Sequence, residues 1–282
     1  MNSSNPAHDD SRPATELINA RYGVEADWEP GEWNETLDVI LSHRSVRKWL
    51  DEPVTREQIQ TIVAAAQSAP SSSNKQTVSV VAVQDEGIKK ELQVVGRQMF
   101  NHIETAPAVL IWCIDHSIAR VLAQRDGKEL GALEYFDEAG LGFLDAGIMS
   151  QNAAIAAESM GLGTVYLGSM RNDMERVQEL LGLPEHVVPV VGLAIGYADP
   201  TERAGIKPRL PQELVLHWDG YGEPSLELID SYDTALDTYY SRYGQHQLWS
   251  HQFVSRLNAE SITKTSRRLV RRVLEKAGFG LK

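Results

Sequence analysis

The run His43-Arg44-Ser45-Val46-Arg47 is the part of this chain best equipped for chemistry. Two guanidiniums and a hydroxyl in so short a stretch can grip a phosphate through charge-assisted, two-pronged bonds. A second cluster, Ser71-Ser72-Ser73-Asn74, is small and hydroxyl-rich, as suits a backbone that must approach a ligand closely. A third, Lys207-Pro208-Arg209, lies far downstream. Taken singly, each is ordinary, since cations are favoured at a helix C-terminus in any case. On an acidic chain the three together point to one phosphorylated ligand held from several directions.

Other chemistries find little support. Gly140-Leu141-Gly142 and Gly161-Leu162-Gly163 lack the third glycine of a dinucleotide fingerprint and follow no strand. No phosphate-loop motif occurs. The eight histidines are scattered, with neither HExxH nor CxxC, so no metal is expected. Ser72-Ser73-Asn74-Lys75 has the SxxK spacing of penicillin-binding hydrolases, but the KTG partner is missing.

The 282 residues carry a formal charge of −12 and are 42% hydrophobic, enough for a real core. An acidic chain is a poor general nucleic-acid binder, so no such partner is expected. Charge is uneven. Residues 262–282 hold seven Lys or Arg against Glu275, a net of +6 that leaves −18 on the rest. That tail reads as a solvated helix face or as a local attractor of anions. The single cysteine, Cys113, sits in an apolar run and fits a reducing cytoplasm. Met1 to Ser11 has no apolar core, and no apolar stretch approaches 18 residues, so neither a signal peptide nor a membrane span is expected.

The elements that must position these clusters follow from periodicity. Residues 1–13 read as disordered, and 14–33 as an amphipathic stretch plus Trp28 and Trp33 that docks on the core. Asn34 caps a helix leading into the His43–Arg47 cluster, and Thr55 to Gln58 has capping-box spacing for a helix to about Ser68. Strands are expected at 78–83, 108–115, 164–167 and 187–195, and helices near 87–99 and from Asn172 to Leu181. Residues 168–171 read as a loop. The longest helix spans 131–160, and its many Gly and Ala fit close packing, including a pairing of two subunits. Two terminal helices are expected, 226–243 and 252–277. Few strands among long helices suit a helix–sheet–helix sandwich.

In these stretches the chain resembles the nitroreductase superfamily, in particular its NADPH-dependent group of oxygen-insensitive nitroreductases and flavin reductases. The resemblance rests on His43 to Arg47, Asp51-Glu52-Pro53-Val54, Ser71 to Ser73, Gln151 to Gly163, Tyr166-Leu167-Gly168-Ser169-Met170-Arg171-Asn172 and Gly205 to Pro211, in family order. It implies an α+β nitroreductase-like sandwich, homodimeric, with FMN at the subunit interface. It divides the chain into an extension (1–33), a flavin-binding core (34–205) and an extension wrapping the partner (206–282). By the same resemblance Arg44, Ser45, Lys207 and Arg209 meet the phosphate and ribityl chain. His43, Arg47, Ser71 and Gln98 lie around the flavin, Gly168 and Ser169 form the loop along its edge near N5, and Tyr166 and Leu167 before them also belong to the flavin site.

The implied activity is an FMN-dependent NAD(P)H oxidoreductase that reduces nitroaromatics, quinones or free flavin, with donor and acceptor using one place in turn. A cation such as Arg47 would favour the charge gained on flavin reduction. No side chain is expected to act as acid or base, because flavin N5 carries the chemistry. A flavin reductase dedicated to a monooxygenase and a non-catalytic flavin-holding protein are the alternatives. Members preferring NADPH carry two arginines before the Trp249 position, where this chain has Arg242 to Leu248 without that pair. Arg171, Arg242, His246 and Arg267 are the candidates to meet the 2′-phosphate in their place; NADH is the other possible donor. Where the family has Ser-Arg-Pro, this chain has Ser266-Arg267-Arg268.

Overall fold

The structure is a computed structural model and describes residues 14–97 and 101–282. Gln98 and the disorder expected for residues 1–13 therefore lie outside the described residues. In chain order the elements are α1 (Ala14–Tyr22), α2 (Glu35–Ser42), α3 (Arg56–Gln67), β1 (Val78–Val83), α4 (Glu86–Gly96), β2 (Ala108–Asp115), α5 (Ser117–Asp126), α6 (Phe136–Ser159), β3 (Gly163–Leu167), α7 (Met174–Leu181), β4 (Val187–Gly196), α8 (Leu226–Ser241), α9 (Trp249–Arg256), α10 (Ala259–Thr263) and α11 (Val270–Lys276). They fall into two compact units. One comprises the described residues up to Arg44 with Arg203–Asn258, the other Ser45–Glu202 with Ala259–Lys282. Residues 206–282, which read as one extension, are thus shared between both units.

The larger unit is built on a four-stranded sheet of order β1-β2-β4-β3, antiparallel throughout. Both faces of β2 are buried, which is why its sequence is an unbroken apolar run. Leu110, Trp112 and Ile114 enter one core with residues of α3, α6 and α11. Val109, Ile111 and Cys113 enter a second core with α4 and α7. Alternate residues of a strand face opposite sides, so one strand feeds both layers and yields the helix–sheet–helix sandwich. Burial pushes the Cys113 thiol up to about 12, with Asp115 adding to the effect.

Polar caps start the helices as the sequence requires. Asn34 accepts from the Leu37 amide, Asp85 from Ile88 and Asp173 from Arg176, while Thr55 and Gln58 form the full capping box. Part of the close packing expected of the small residues of α6 is realised within the chain itself. Ala139, Gly142, Ala146, Ala153, Ala154 and Ala157 are buried against this chain's own sheet and α3. A Cβ on Gly142 would stand 2.7 Å from Ile114 Cγ2, so only glycine lets α6 come this close to β2.

Several boundaries differ from the sequence reading. The stretch 131–134 is a 3₁₀ turn, and α6 starts after extended Tyr135. Residues 168–172 coil into a further 3₁₀ turn rather than an open loop. The helix near 87–99 stops at Gly96, where Arg97 turns left-handed with φ of 48°. The single helix expected over 252–277 is broken into α9, α10, a 3₁₀ turn at Ser266–Leu269 and α11. Thr265 there accepts from the Arg267 amide and opens a new turn, the competition with helix that a short hydroxyl side chain offers. Helix α5 escapes the periodicity because Ile118 and Val121 point outward, each about two-thirds exposed.

In the smaller unit, α1 packs against α2, and α8 against α9. Leu17 and Ile18 of α1 and Tyr232, Ala235, Leu236 and Tyr239 of α8 supply its buried side chains.

Candidate flavin and nicotinamide site

The larger unit assembles a cationic turn. Opposite β2 Trp112 and Cys113, strand β4 presents Val191 and Pro189, so Val190 is an extra, bulged residue. Proline has no N–H for the ladder, and a bulge is where a sheet tolerates it. The freed Val190 carbonyl accepts from Arg171 Nη1 at 3.3 Å. Arg171 in turn lies over Gly168, where a Cβ would sit 3.4 Å from its Nη2. Arg267, from the far C-terminal segment, donates from Nη2 to the Gly168 carbonyl at 3.2 Å and from Nε to Asn172 Oδ1 at 2.8 Å. Burial lowers the pKa of Arg171, and the like charge of Arg267 lowers it further. Two guanidiniums that repel each other at one glycine are a ready site for an anion.

Asn172 is the hub of this arrangement, and motif reading gave it no role. It is buried, and its Nδ2 donates to the carbonyls of Val95 and Gly96 while its Oδ1 holds Arg267. The signal available was its place in the Tyr166–Asn172 stretch. Ser169 is also buried, and its Oγ has no hydrogen-bond partner among the described residues. Leu167 is part of the second core. Tyr166 donates to Ser150 Oγ at 3.2 Å, and burial raises its pKa.

Ser45 bridges to Thr164, and the Val46 amide donates to the Thr164 carbonyl at 2.9 Å, so the edge strand β3 fixes the start of the arginine cluster. The Arg47 amide donates to Glu202 Oε1 at 2.9 Å while its side chain stays exposed. The Ser71 loop is tightly wound. Ser73, Asn74 and Gln76 have φ of 51°, 54° and 51°, a region costly for side chains other than glycine. Two contacts hold it. Ser71 Oγ accepts from the Gln76 amide at 3.0 Å, and the Ser72 amide donates to both oxygens of buried Asp145 at 3.3 and 3.4 Å. Asp145 is a second residue the motifs passed over, and an acid among the small residues of α6 was its signal.

The smaller unit holds His43, Arg44, Lys207, Arg209, Arg242 and His246. His43 caps the C-terminus of α2. Pro208 is buried and its carbonyl accepts from Tyr232, while Lys207 Nζ stands 5.2 Å from the centre of the Tyr240 ring. Burial lifts Tyr239 to about 12, and its hydroxyl holds the Gly205 carbonyl. Among the described residues, neither Lys207 nor Arg209 pairs with a carboxylate. Two cations on a fixed backbone, free of acidic partners, are a donor set that fits the phosphate of FMN. His246 is engaged by Asp237 at 3.1 Å, and that bond lowers the Asp237 pKa. Arg242 is exposed at the end of α8.

Comparison with known proteins agrees with this architecture. The Nitroreductase family model matches residues 40–197, and that of the Nitroreductase family, C-terminal domain, matches 207–282. The chain is 42% identical over 235 residues to the NADPH-flavin oxidoreductase of Vibrio harveyi, covering 81% of this chain and 93% of that one. It is 37% identical over 248 residues to the oxygen-insensitive NADPH nitroreductase of Salmonella typhimurium, covering 86% and 98%. The solved structure of nitroreductase A from Vibrio parahaemolyticus superposes with a TM-score of 0.79 at 34% identity, covering 89% of this chain and all of that one. That of the Vibrio harveyi NADPH:FMN oxidoreductase complexed with NAD+ gives 0.77 at 36% identity, covering 88% and 100%. With the sandwich and both family segments in agreement, the chain belongs to the nitroreductase family.

Proposed function

We infer that this chain is an FMN-dependent NAD(P)H oxidoreductase acting on flavins or nitro compounds. The observation that supports the reading is the Lys207-Pro208-Arg209 segment, where a buried proline fixes the backbone of two cations that, among the described residues, pair with no carboxylate. When bound, FMN supplies the hydride-accepting and hydride-donating centre. The chain's own residues do the rest. Lys207, Arg209 and Arg44 neutralise the phosphate, with Ser45 at the ribityl chain. His43, Arg47 and Ser71 lie around the flavin, and Gly168 and Ser169 lie along its edge. The guanidinium of Arg47, whose backbone amide is held by Glu202, would favour the charge gained on reduction. Arg171 and Arg267 receive the phosphates of the nicotinamide donor.

Quinones are further acceptors on this reading, and donor and acceptor use the same place in turn. The working form is a homodimer with FMN at its interface. Two apolar surfaces support this. One is a groove of about 410 Å³ along α6 lined by Phe143, Leu144, Gly147, Ile148, Gln151 and Asn152. The other, in the smaller unit, exposes Trp218, Tyr221 and Leu226, each by more than three-quarters. An obligate dimer interface buries upwards of roughly 2,000 Å². Among the described residues no helix is long and apolar enough to cross a membrane. The thiol Cys113 is in keeping with a cytoplasmic protein.

Mass spectrometry of the flavin released from purified protein should find FMN, and anaerobic stopped-flow mixing with NADPH or NADH should bleach its absorbance. FAD in place of FMN would refute the assignment. A yellow protein that oxidises neither donor with any acceptor would be a flavin-holding protein instead. Arg209→Ala should weaken FMN binding by about 1.5–3 kcal/mol, the worth of a hydrogen bond to a charged group.

A further inference from the structure

Residues 14–34 lie outside both family segments, yet they reach the proposed phosphate cluster. Arg21, in the last turn of α1, is 8% exposed. Its Nη2 donates to the carbonyls of Leu41 and His43, both at 2.7 Å. These are carbonyls at the C-terminus of α2, where intrahelical partners run out and negative partial charge collects. Its Nη1 donates to the Lys207 carbonyl at 3.3 Å. One guanidinium thus joins the segment carrying His43 and Arg44 to the segment carrying Lys207 and Arg209.

Two more contacts fix the same junction. The Arg209 amide donates to the Arg21 carbonyl at 2.8 Å. Gly23, with φ of 76°, sits so close to Pro208 that a Cβ would stand 2.9 Å from Pro208 Cγ. The end of α1 is therefore fitted to the Lys207–Arg209 segment by a side chain, a backbone pair and a close approach. A planar guanidinium suits this task, because its donors diverge in fixed directions and it stays charged.

We infer that Arg21 is a positioning residue for the FMN phosphate: it holds Arg44, Lys207 and Arg209 in register before the ligand arrives. The inference rests on the reading that Lys207 and Arg209 meet that phosphate. It assigns the N-terminal segment a part in cofactor affinity. Preorganised cations cost less to order on binding, so the gain appears as tighter binding of the phosphorylated flavin alone.

The test is to titrate flavin-free protein with FMN and with riboflavin, which lacks the phosphate, following quenching of flavin fluorescence. Arg21→Gln should raise the FMN Kd about tenfold or more while moving that of riboflavin by less than about twofold. Gly23→Ala, which keeps the guanidinium but pushes on Pro208, should show the same selectivity, and it is read alone should Arg21→Gln fail to fold. Arg209→Ala is the reference. If it discriminates between the two flavins while the variants at 21 and 23 weaken both equally or neither, the inference is overturned and the phosphate reading stands. If Arg209→Ala itself fails to discriminate, the phosphate reading falls and the inference with it. A merely structural role for Arg21 would lower both affinities together.

Discussion

Arg267 Nη2 donates to the carbonyl of Gly168 at 3.2 Å, joining the C-terminal segment to the turn that follows β3. On its other side the same glycine meets Arg171. The two guanidiniums are each held by neutral oxygens, so their charge remains available to an anion. On the proposed reading, a donor's 2′-phosphate there would face two cations, without the pair of arginines missing from the Gly244–Leu248 loop. NADPH should therefore be preferred over NADH by about tenfold or less in kcat/KM, each tenfold being about 1.4 kcal/mol. The preference should shrink with added salt and with Arg267→Ala or Arg171→Ala. Steady-state kinetics with both donors at two ionic strengths checks this. A salt-insensitive, thousandfold preference would place the phosphate elsewhere.

Gly142 tests the close approach of α6 to the sheet. Gly142→Ala places a methyl against Ile114, whose three side-chain carbons Cγ2, Cγ1 and Cδ1 stand 2.7, 2.8 and 2.9 Å from it. Overpacking of this kind costs roughly 1–3 kcal/mol. Urea unfolding of flavin-free protein should show a lower midpoint at unchanged slope. An unchanged midpoint would mean that α6 can move away from β2 at no cost.

His116 should set part of the acid limit of stability. The ring is buried, stacks edge-on to Phe279 with centroids 5.2 Å apart, and neither of its nitrogens has a hydrogen-bond partner among the described residues. Burial lowers its pKa from 6.5. Glu138 and Asp115 oppose that shift, and Arg120 and Lys75 add to it. Below about pH 6.5 the unfolded chain takes up a proton that the folded ring resists. Stability should thus fall as pH drops through that value and be insensitive to this group above it. The slope from one histidine is at most about 1.4 kcal/mol per pH unit. His116→Gln should flatten that limb in melting curves taken between pH 5 and 8. An equally steep limb in the variant would exonerate His116.

Leu144 tests the proposed dimer. It is 57% exposed on α6, in the apolar groove with Phe143 and Ile148. A charge buried there without a partner is strongly unfavourable. Leu144→Asp should leave the monomer fold intact, shift sedimentation toward monomer and release flavin in parallel. A variant that remains dimeric with full FMN would move the interface to another face.

Local physics made much of this protein legible in its sequence. The caps at Asn34 and Thr55 and the strand at Val78–Val83 follow from hydrogen-bonding side chains and residue alternation, which act over a few positions. The clusters around Arg44, Ser71, Gly168 and Lys207 were visible as residue types at fixed spacing. The contacts that hold each cluster were not. Arg171 and Arg267 meet only because a bulge at Val190 turns a carbonyl toward one and Asn172 holds the other. Arg21 is buried with Leu17 and Ile18 on α1, and nothing in the spacing of that amphipathic stretch named the carbonyls it binds. The breaks between α9 and α11 escaped notice because hydrophobic period does not register where a hydroxyl captures the next amide. The neighbour of Gly142 in α6 was not legible for a related reason. Sequence tells that a backbone must come close to something, and only the folded chain decides that the neighbour is Ile114 of its own sheet.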